Sequence, residues 1–229
     1  MNRLFISLMI LSLIPGVVLA QESKGDLGIS VSDGKLRSFY LAVSDYYGVS
    51  GRAVVATKER YRLRDEELPV VYFLSARARV APSVIIGLRI KGLSWLDVTF
   101  HYGLTPEIFY IPVAVEKIGP PYGKAYGHLK KYRSKKEWKK IVLNDYEVAD
   151  LVNLRFISEH YKVKPEAVMK MRSQGKNFIT INEERGKEKA KAKVGKHEKQ
   201  NFLLKEERWP ERLMFLVYPS AKVWQDTKA

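Results

Sequence analysis

Not one of the 229 residues is a cysteine. That absence excludes a disulfide framework, a thiol nucleophile, thiolate metal sites and a lipidated N-terminal cysteine. An exported chain without disulfides holds itself together by burying apolar surface. Histidine is scarce as well. His101, His128, His160 and His197 lie far apart, and no two stand at the i,i+4 spacing that lets one helix face hold a metal. Neither H-E-x-x-H nor G-x-S-x-G occurs, and no serine sits in a nucleophile-elbow context. The neighbouring carboxylates Asp65, Glu66 and Glu67 precede Leu68-Pro69. They are accounted for as a helix start, where acids meet the positive end of the dipole and proline fits the first turn. His160 reads as a cation at a helix C-terminus, and His101, between Phe100 and Tyr102, as a packing residue with a polar edge. No catalytic residue, metal ligand or cofactor site is predicted, and the chain reads as a non-enzyme.

Long apolar runs are also missing, apart from one at the very start. Residues 1–20 read as a signal peptide: Arg3 supplies the positive region, Leu4 to Ile14 the apolar stretch, and Pro15-Gly16 break it before Val18-Leu19-Ala20. The run is shorter than the roughly 20 residues a bilayer span needs. The expected destination is therefore across the inner membrane, in the periplasm or outside the cell. Acidic residues are under-represented, 25 against 40 lysines and arginines, for a net charge of +15. The basic residues cluster from Lys117 to Lys140 and again from Lys187 to Lys199. Such an excess favours anionic partners through long-range attraction. For an exported protein these are an anionic polymer, a membrane surface or an envelope protein; a merely solvated basic surface is the alternative.

What the chain does have is a pattern that recurs. Val80-Ala81-Pro82, an apolar stretch, Gly92 and Trp95 reappear 83 residues later as Val163-Lys164-Pro165, a second stretch, Gly175 and Phe178. Leu88 and Met171, and Arg89 and Arg172, keep the same offset, and a fainter copy begins at Tyr47-Gly48-Val49-Ser50 and runs through Val54, Val55 and Lys58. Apolar residues at spacings of three and four, Leu36, Phe39, Tyr40, Val43 and Tyr47, announce the first helix. Tyr72, Phe73, Ala76 and Val80 give another apolar stripe. Ser50 and Ser94 stand where helix caps belong, and Gly48, Gly92 and Gly103 where helices stop. The fold class expected is all-α: two to three helix-turn-helix-like trihelical units packed together, with an irregular Gly/Pro/Tyr-rich basic loop between them. Val80, Leu88, Trp95, Val163, Met171 and Phe178 are the predicted core.

The expected organisation is a signal peptide (1–20), a flexible arm (21–34), a helical domain with two repeat units (35–110), a basic Gly/Pro/aromatic linker (111–144), a third unit (145–186), a charged disordered segment (187–201) and a C-terminal extension (202–229). Phe109 to Val115 is read as extended, although Pro112 argues against a central strand. Phe178-Ile179-Thr180-Ile181 is β-branched enough to be extended too. The ligand-facing candidates are Tyr122, Tyr126, His128, Lys130, Lys131, Tyr132, Arg133 and Trp138. Aromatic faces between cations stack on sugar or base rings while the cations meet phosphate or carboxylate. The competing reading is that the tyrosines pin the loop onto the helices.

Tyr-Gly-Val-Ser at 47–50, Glu-Glu-Leu-Pro-Val-Val-Tyr-Phe-Leu at 66–74 and Val-x-Pro…Leu-Arg…Gly-Leu-Ser-Trp at 80–95 resemble exported bacterial proteins with repeated units of this kind. Gly-Pro-Pro-Tyr-Gly-Lys-Ala-Tyr-Gly-His at 119–128 and Leu-Val-Asn-Leu-Arg-Phe-Ile-Ser-Glu-His-Tyr at 151–161 are similar to them as well. The resemblance covers most of residues 36–186 and brings no established activity with it. The function expected is a non-catalytic exported helical binding or scaffold protein meeting an anionic envelope polymer or a partner protein. The alternatives are a nonspecific nucleic-acid or polyanion binder, and an envelope hydrolase without a recognisable motif. Sequence-specific DNA reading is not expected, because the helix after Gly92 offers Ser94, Asp97 and Thr99 where base-reading cations belong.

Overall fold

Every element among the described residues is helical, and most boundaries have a local cause. The computed structural model describes residues 33–114, 118–131 and 137–206, with the side chains of 139 and 197–206 left aside. The expected signal peptide, most of the expected N-terminal arm, Tyr132, Arg133 and the expected C-terminal extension from 207 lie outside the described residues. Nine α-helices and no strand occur among the described residues.

Helix α1 (Gly34–Tyr47) starts where the Asp33 carboxylate accepts the Lys35 and Leu36 amides, at 2.7 and 3.2 Å. It stops at Gly48, whose φ of +67° is left-handed. Helix α2 (Gly51–Tyr61) is capped by Ser50. A 3-10 turn, Asp65–Glu67, then feeds α3 (Leu68–Ala78), which is buried continuously from Leu68 to Leu74. Helices α4 (Pro82–Ile90) and α5 (Trp95–His101) follow, the latter opened by a reciprocal Ser94–Asp97 capping box. After a 3-10 turn at Pro106–Phe109 the backbone from 110 to 113 is irregular, not a strand. Helix α6 (Gly123–Lys131) and a turn at Trp138–Lys140 precede α7 (Asp145–Tyr161), α8 (Pro165–Ser173) and α9 (Phe178–Glu206).

Helices α3 and α7 pack on each other at the centre. Helix α7 has no dry-versus-wet division over most of its length: Val148, Leu151, Leu154, Phe156 and Ile157 are all inaccessible. A helix apolar on every side is one surrounded by others. Around this pair stand α1, which also meets α2 and α9, with α4 against α3, α5 against α7 and α8 against both α7 and α9. One continuous cluster of buried residues runs from Phe39 to Ile181.

Several expectations need correction here. Residues 111–144 are not a bare linker, because Ile111, Tyr122, Ala125, Tyr126, Leu129, Ile141 and Leu143 belong to that common core. The Gly/Tyr stretch is helical, since Tyr122, Ala125, Tyr126 and Leu129 fall on one face at spacings of three and four. Phe178 to Ile181 opens α9 instead of extending, because burial of Phe178 and Ile181 on the same face outweighs weak β propensity. The charged stretch 187–201 continues that helix, and the first residues of the expected extension, 202–206, finish it. Lysine and glutamate are good helix formers, and Lys187–Glu183 and Arg185–Glu188 pairs support the exposed turns. Of the predicted core, Trp95, Met171 and Phe178 are buried, whereas Val80, Leu88 and Val163 are half-buried and pack against it. Ala76 is exposed.

Candidate anion-binding surfaces

Four acids, Glu66 and Glu67 before α3 and Asp145 and Asp150 on α7, are committed to two similar internal arrangements. In the first, the Arg89 guanidinium lies 4.2 Å over the Trp95 ring, and its Nη1 donates to the Leu93 carbonyl. Its Nη2 meets Glu67 Oε1 at 3.3 Å and Asp145 Oδ2 at 2.8 Å. Glu67 also accepts from Trp95 Nε1, and Asp145 Oδ1 accepts the Trp95 amide at 2.7 Å. In the second, Arg172 lies 4.5 Å over Phe178, donates to the Lys176 carbonyl and pairs with Asp150 at 2.7 Å. Here Glu66 Oε1 accepts the Phe178 amide at 3.3 Å. Thus an acid beside α3 reaches the start of α9, and an acid at the start of α7 reaches the start of α5. Each carboxylate satisfies a free amide of a helix's first turn. Asn144, not Asp145, caps α7 itself.

Burial and charge pull in opposite directions at these acids. Burial pushes the Glu67 carboxyl up, but bonds from Arg64 and the charges of Arg64 and Arg89 leave it below the ordinary glutamate range. At Asp150 burial prevails over Arg172, with Glu66 and Glu147 adding repulsion, so its carboxyl rises. These are structural ion pairs. They face the core, and removing one partner leaves a costly buried charge.

The structure divides the sequence-predicted site. Tyr122 and Tyr126 are each 1 % exposed, so neither ring offers a face to a ligand. The Tyr126 hydroxyl donates to the Ile111 carbonyl at 2.8 Å and its ring leans on Tyr110. Burial pushes both phenols well up. They anchor α6 to the body, as the competing reading held. The other side of α6 is polar: Lys124 and Lys131 are exposed, with His128 and Lys130 half-buried. Trp138 is half-buried on the turn that packs against Pro106–Phe109, and it borders the core. Tyr132 and Arg133 lie outside the described residues.

The second basic cluster, expected in a disordered segment, instead forms a folded surface on α9. An open cleft of about 490 Å³ lies where α9 passes the junction of α7 and α8. Its floor is Tyr161 and Val163, and Arg185, Lys189, Lys193 and Lys196 stand along the α9 side. The single carboxylate there, Glu188, pairs with Arg185 at 2.8 Å. Lys189 Nζ rests 5.6 Å from the Tyr161 ring, whose hydroxyl donates to Asn182. Asn182 in turn donates to Ser38 on α1, fixing the root of the helix. The signal that would have found this cleft was the four-residue spacing of its cations.

The histidines behave differently from expectation. His160 is not set up as a cation: burial, then the charge of Lys189, pulls its imidazole down, against a weaker pull from Asp45. His101 is exposed, with its ring edge-on to Tyr102, and does not pack inside. Among the described residues no group of three His, Cys, Asp or Glu is placed to share a metal ion. Nor is any single described helix long and apolar enough to cross a membrane. Comparison of the chain with protein-family models, with curated proteins and with solved structures finds no match in any of the three.

Proposed function

We propose that this is a non-catalytic, exported helical binding protein that captures an anionic polymer of the cell envelope through its basic surfaces. The duplicated helical units are the framework in this reading, and their paired arginine–aromatic contacts hold the helices that carry the cations. The observation behind it is the exposed cleft side of α9, where Arg185, Lys189, Lys193 and Lys196 follow one another with Glu188 as the one described acid among them. Such a stretch raises the local concentration of anions and weakens as salt screens it. The N-terminal segment, with its short apolar run, supports export.

Chromatography of the purified protein on immobilised heparin tests the reading. Retention is expected at low salt, with release as ionic strength rises. Reversing Lys189, Lys193 and Lys196 to Glu should bring elution forward sharply while far-ultraviolet circular dichroism stays unchanged. A protein that passes through at low salt, or is held regardless of salt, contradicts the proposal.

A further inference from the structure

The cleft beside α9 sorts its charges by period. Arg185, Lys189, Lys193 and Lys196 are spaced four, four and three apart, so they share one face of the helix. At 1.5 Å per residue the steps are about 6, 6 and 4.5 Å. Opposite that row the wall is Tyr161 and Val163, apolar enough to keep water's screening low on one side.

We propose, resting on the reading of the protein as a polyanion binder, that this cleft takes a linear phosphodiester polymer through its backbone alone, one phosphate per helical turn. The repeat of such a polymer is six covalent bonds from phosphorus to phosphorus. Three peptide-backbone bonds reach at most about 3.5 Å, so six reach at most about 7 Å, enough to span the steps of about 4.5–6 Å along the row. Recognition stops at the backbone because the cleft has no free aromatic platform. The one aromatic residue lining it, Tyr161, has the Lys189 ammonium 5.6 Å from its ring centre and its hydroxyl donating to Asn182. Stacking of bases needs an open ring.

Two other occupants fit worse. An acidic partner helix needs an apolar seam to lie along, and among the described residues the cleft side of the exposed part of α9 presents Ala192 alone. A bilayer-bound helix needs large apolar residues opposite its cations. On the other side of α9 two exposed lysines, Lys187 and Lys191, accompany a single exposed large apolar residue, Val194, among the described residues.

The test is titration of the full chain with three probes of equal length: poly(glycerol phosphate), oligothymidylate and an abasic deoxyribose-phosphate oligomer. All three should bind within about threefold of one another. The plot of log affinity against log salt should have a slope of about −2 to −3, for three to four phosphates at about 0.7 each. Lys189→Gln, Lys193→Gln and Lys196→Gln together should reduce the slope by about 2. Lys187→Gln with Lys191→Gln, on the far side, should leave it unchanged.

Equal loss in the two variants means a diffuse charge effect and overturns the cleft. Preference for the thymidylate by more than about tenfold shows that bases take part, and overturns backbone-only recognition. Equal or tighter binding of a helical peptide with glutamate at every fourth position, or of phosphatidylglycerol vesicles, overturns the choice of occupant. Failure to bind heparin at all defeats the broader reading instead, so the two failures are distinguishable.

Discussion

Trp95 offers the sharpest check on how this protein holds together. Its side chain is wholly inaccessible, its Nε1 donates to Glu67, and Arg89 covers its ring. Trp95→Ala leaves a cavity beside two charged groups and takes away their shared platform. Truncating a buried large aromatic costs about 3–5 kcal/mol. With a urea dependence of about 2 kcal/mol per molar for a chain of this size, the unfolding midpoint should fall by roughly 1.5–2.5 M. Trp95→Phe separates packing from hydrogen bonding. It keeps a ring beneath Arg89, as Phe178 does beneath Arg172, and removes only the ring N–H. Glu67 retains Arg64 and Arg89, so that change should cost about 1–2 kcal/mol. Equilibrium unfolding followed by circular dichroism reads both values. A midpoint for Trp95→Ala within about 0.3 M of the parent would refute the idea that this residue anchors α5 against α7 and the turn before α3.

His160 should make stability depend on mildly acidic pH. Its folded pKa lies below 6.5 through burial and the charge of Lys189, with Asp45 opposing, so the folded state binds fewer protons than the unfolded chain. Stability is therefore full above the unfolded pKa and is lost as pH falls below it. His160→Gln should flatten that decline, and an unaltered slope between about pH 7 and 5 would show that another group carries it. Gly92 and Gly175 adopt φ of +92° and +85° with open space where a Cβ would go. Alanine at either should cost about 1–2 kcal/mol from backbone strain alone. Gly87, inside α4 and equally uncrowded, should instead gain about 0.5–1 kcal/mol on substitution by alanine. Thermal melts that rank the three alike would mean that left-handed backbone is not what these turns require.

Much of the helical framework is legible in the linear pattern because its signals are local. The caps at Ser50 and Ser94, the acid-rich start at Asp65–Glu67, Pro82 and Pro165 at helix openings, and Gly48, Gly92 and Gly175 in left-handed turns all act within a few residues. Helices α4 and α8 each run nine residues and start 83 apart, and Trp95 and Phe178 each open a helix. The misreadings share a different cause. Tyr122 and Tyr126 look like a ligand-facing pair until α6 folds and turns both inward. The charged stretch after Glu183 looks unfoldable by composition, yet it propagates from a buried root at Phe178 and Ile181.

From its residues alone this chain is committed to an all-helical, cysteine-free, strongly cationic body with recurring helix–turn signals, because propensity, capping and charge are written within a turn or two of each residue. Which acid meets which arginine, which tyrosines are swallowed by the core and which lysines come to line one cleft were decided only by packing. Partners that hold these groups lie far apart in the chain, 112 residues for Glu66 and Phe178 and 144 for Ser38 and Asn182. No local rule carries across such separations; only the shared burial of α1, α3, α7 and α9 brings them together.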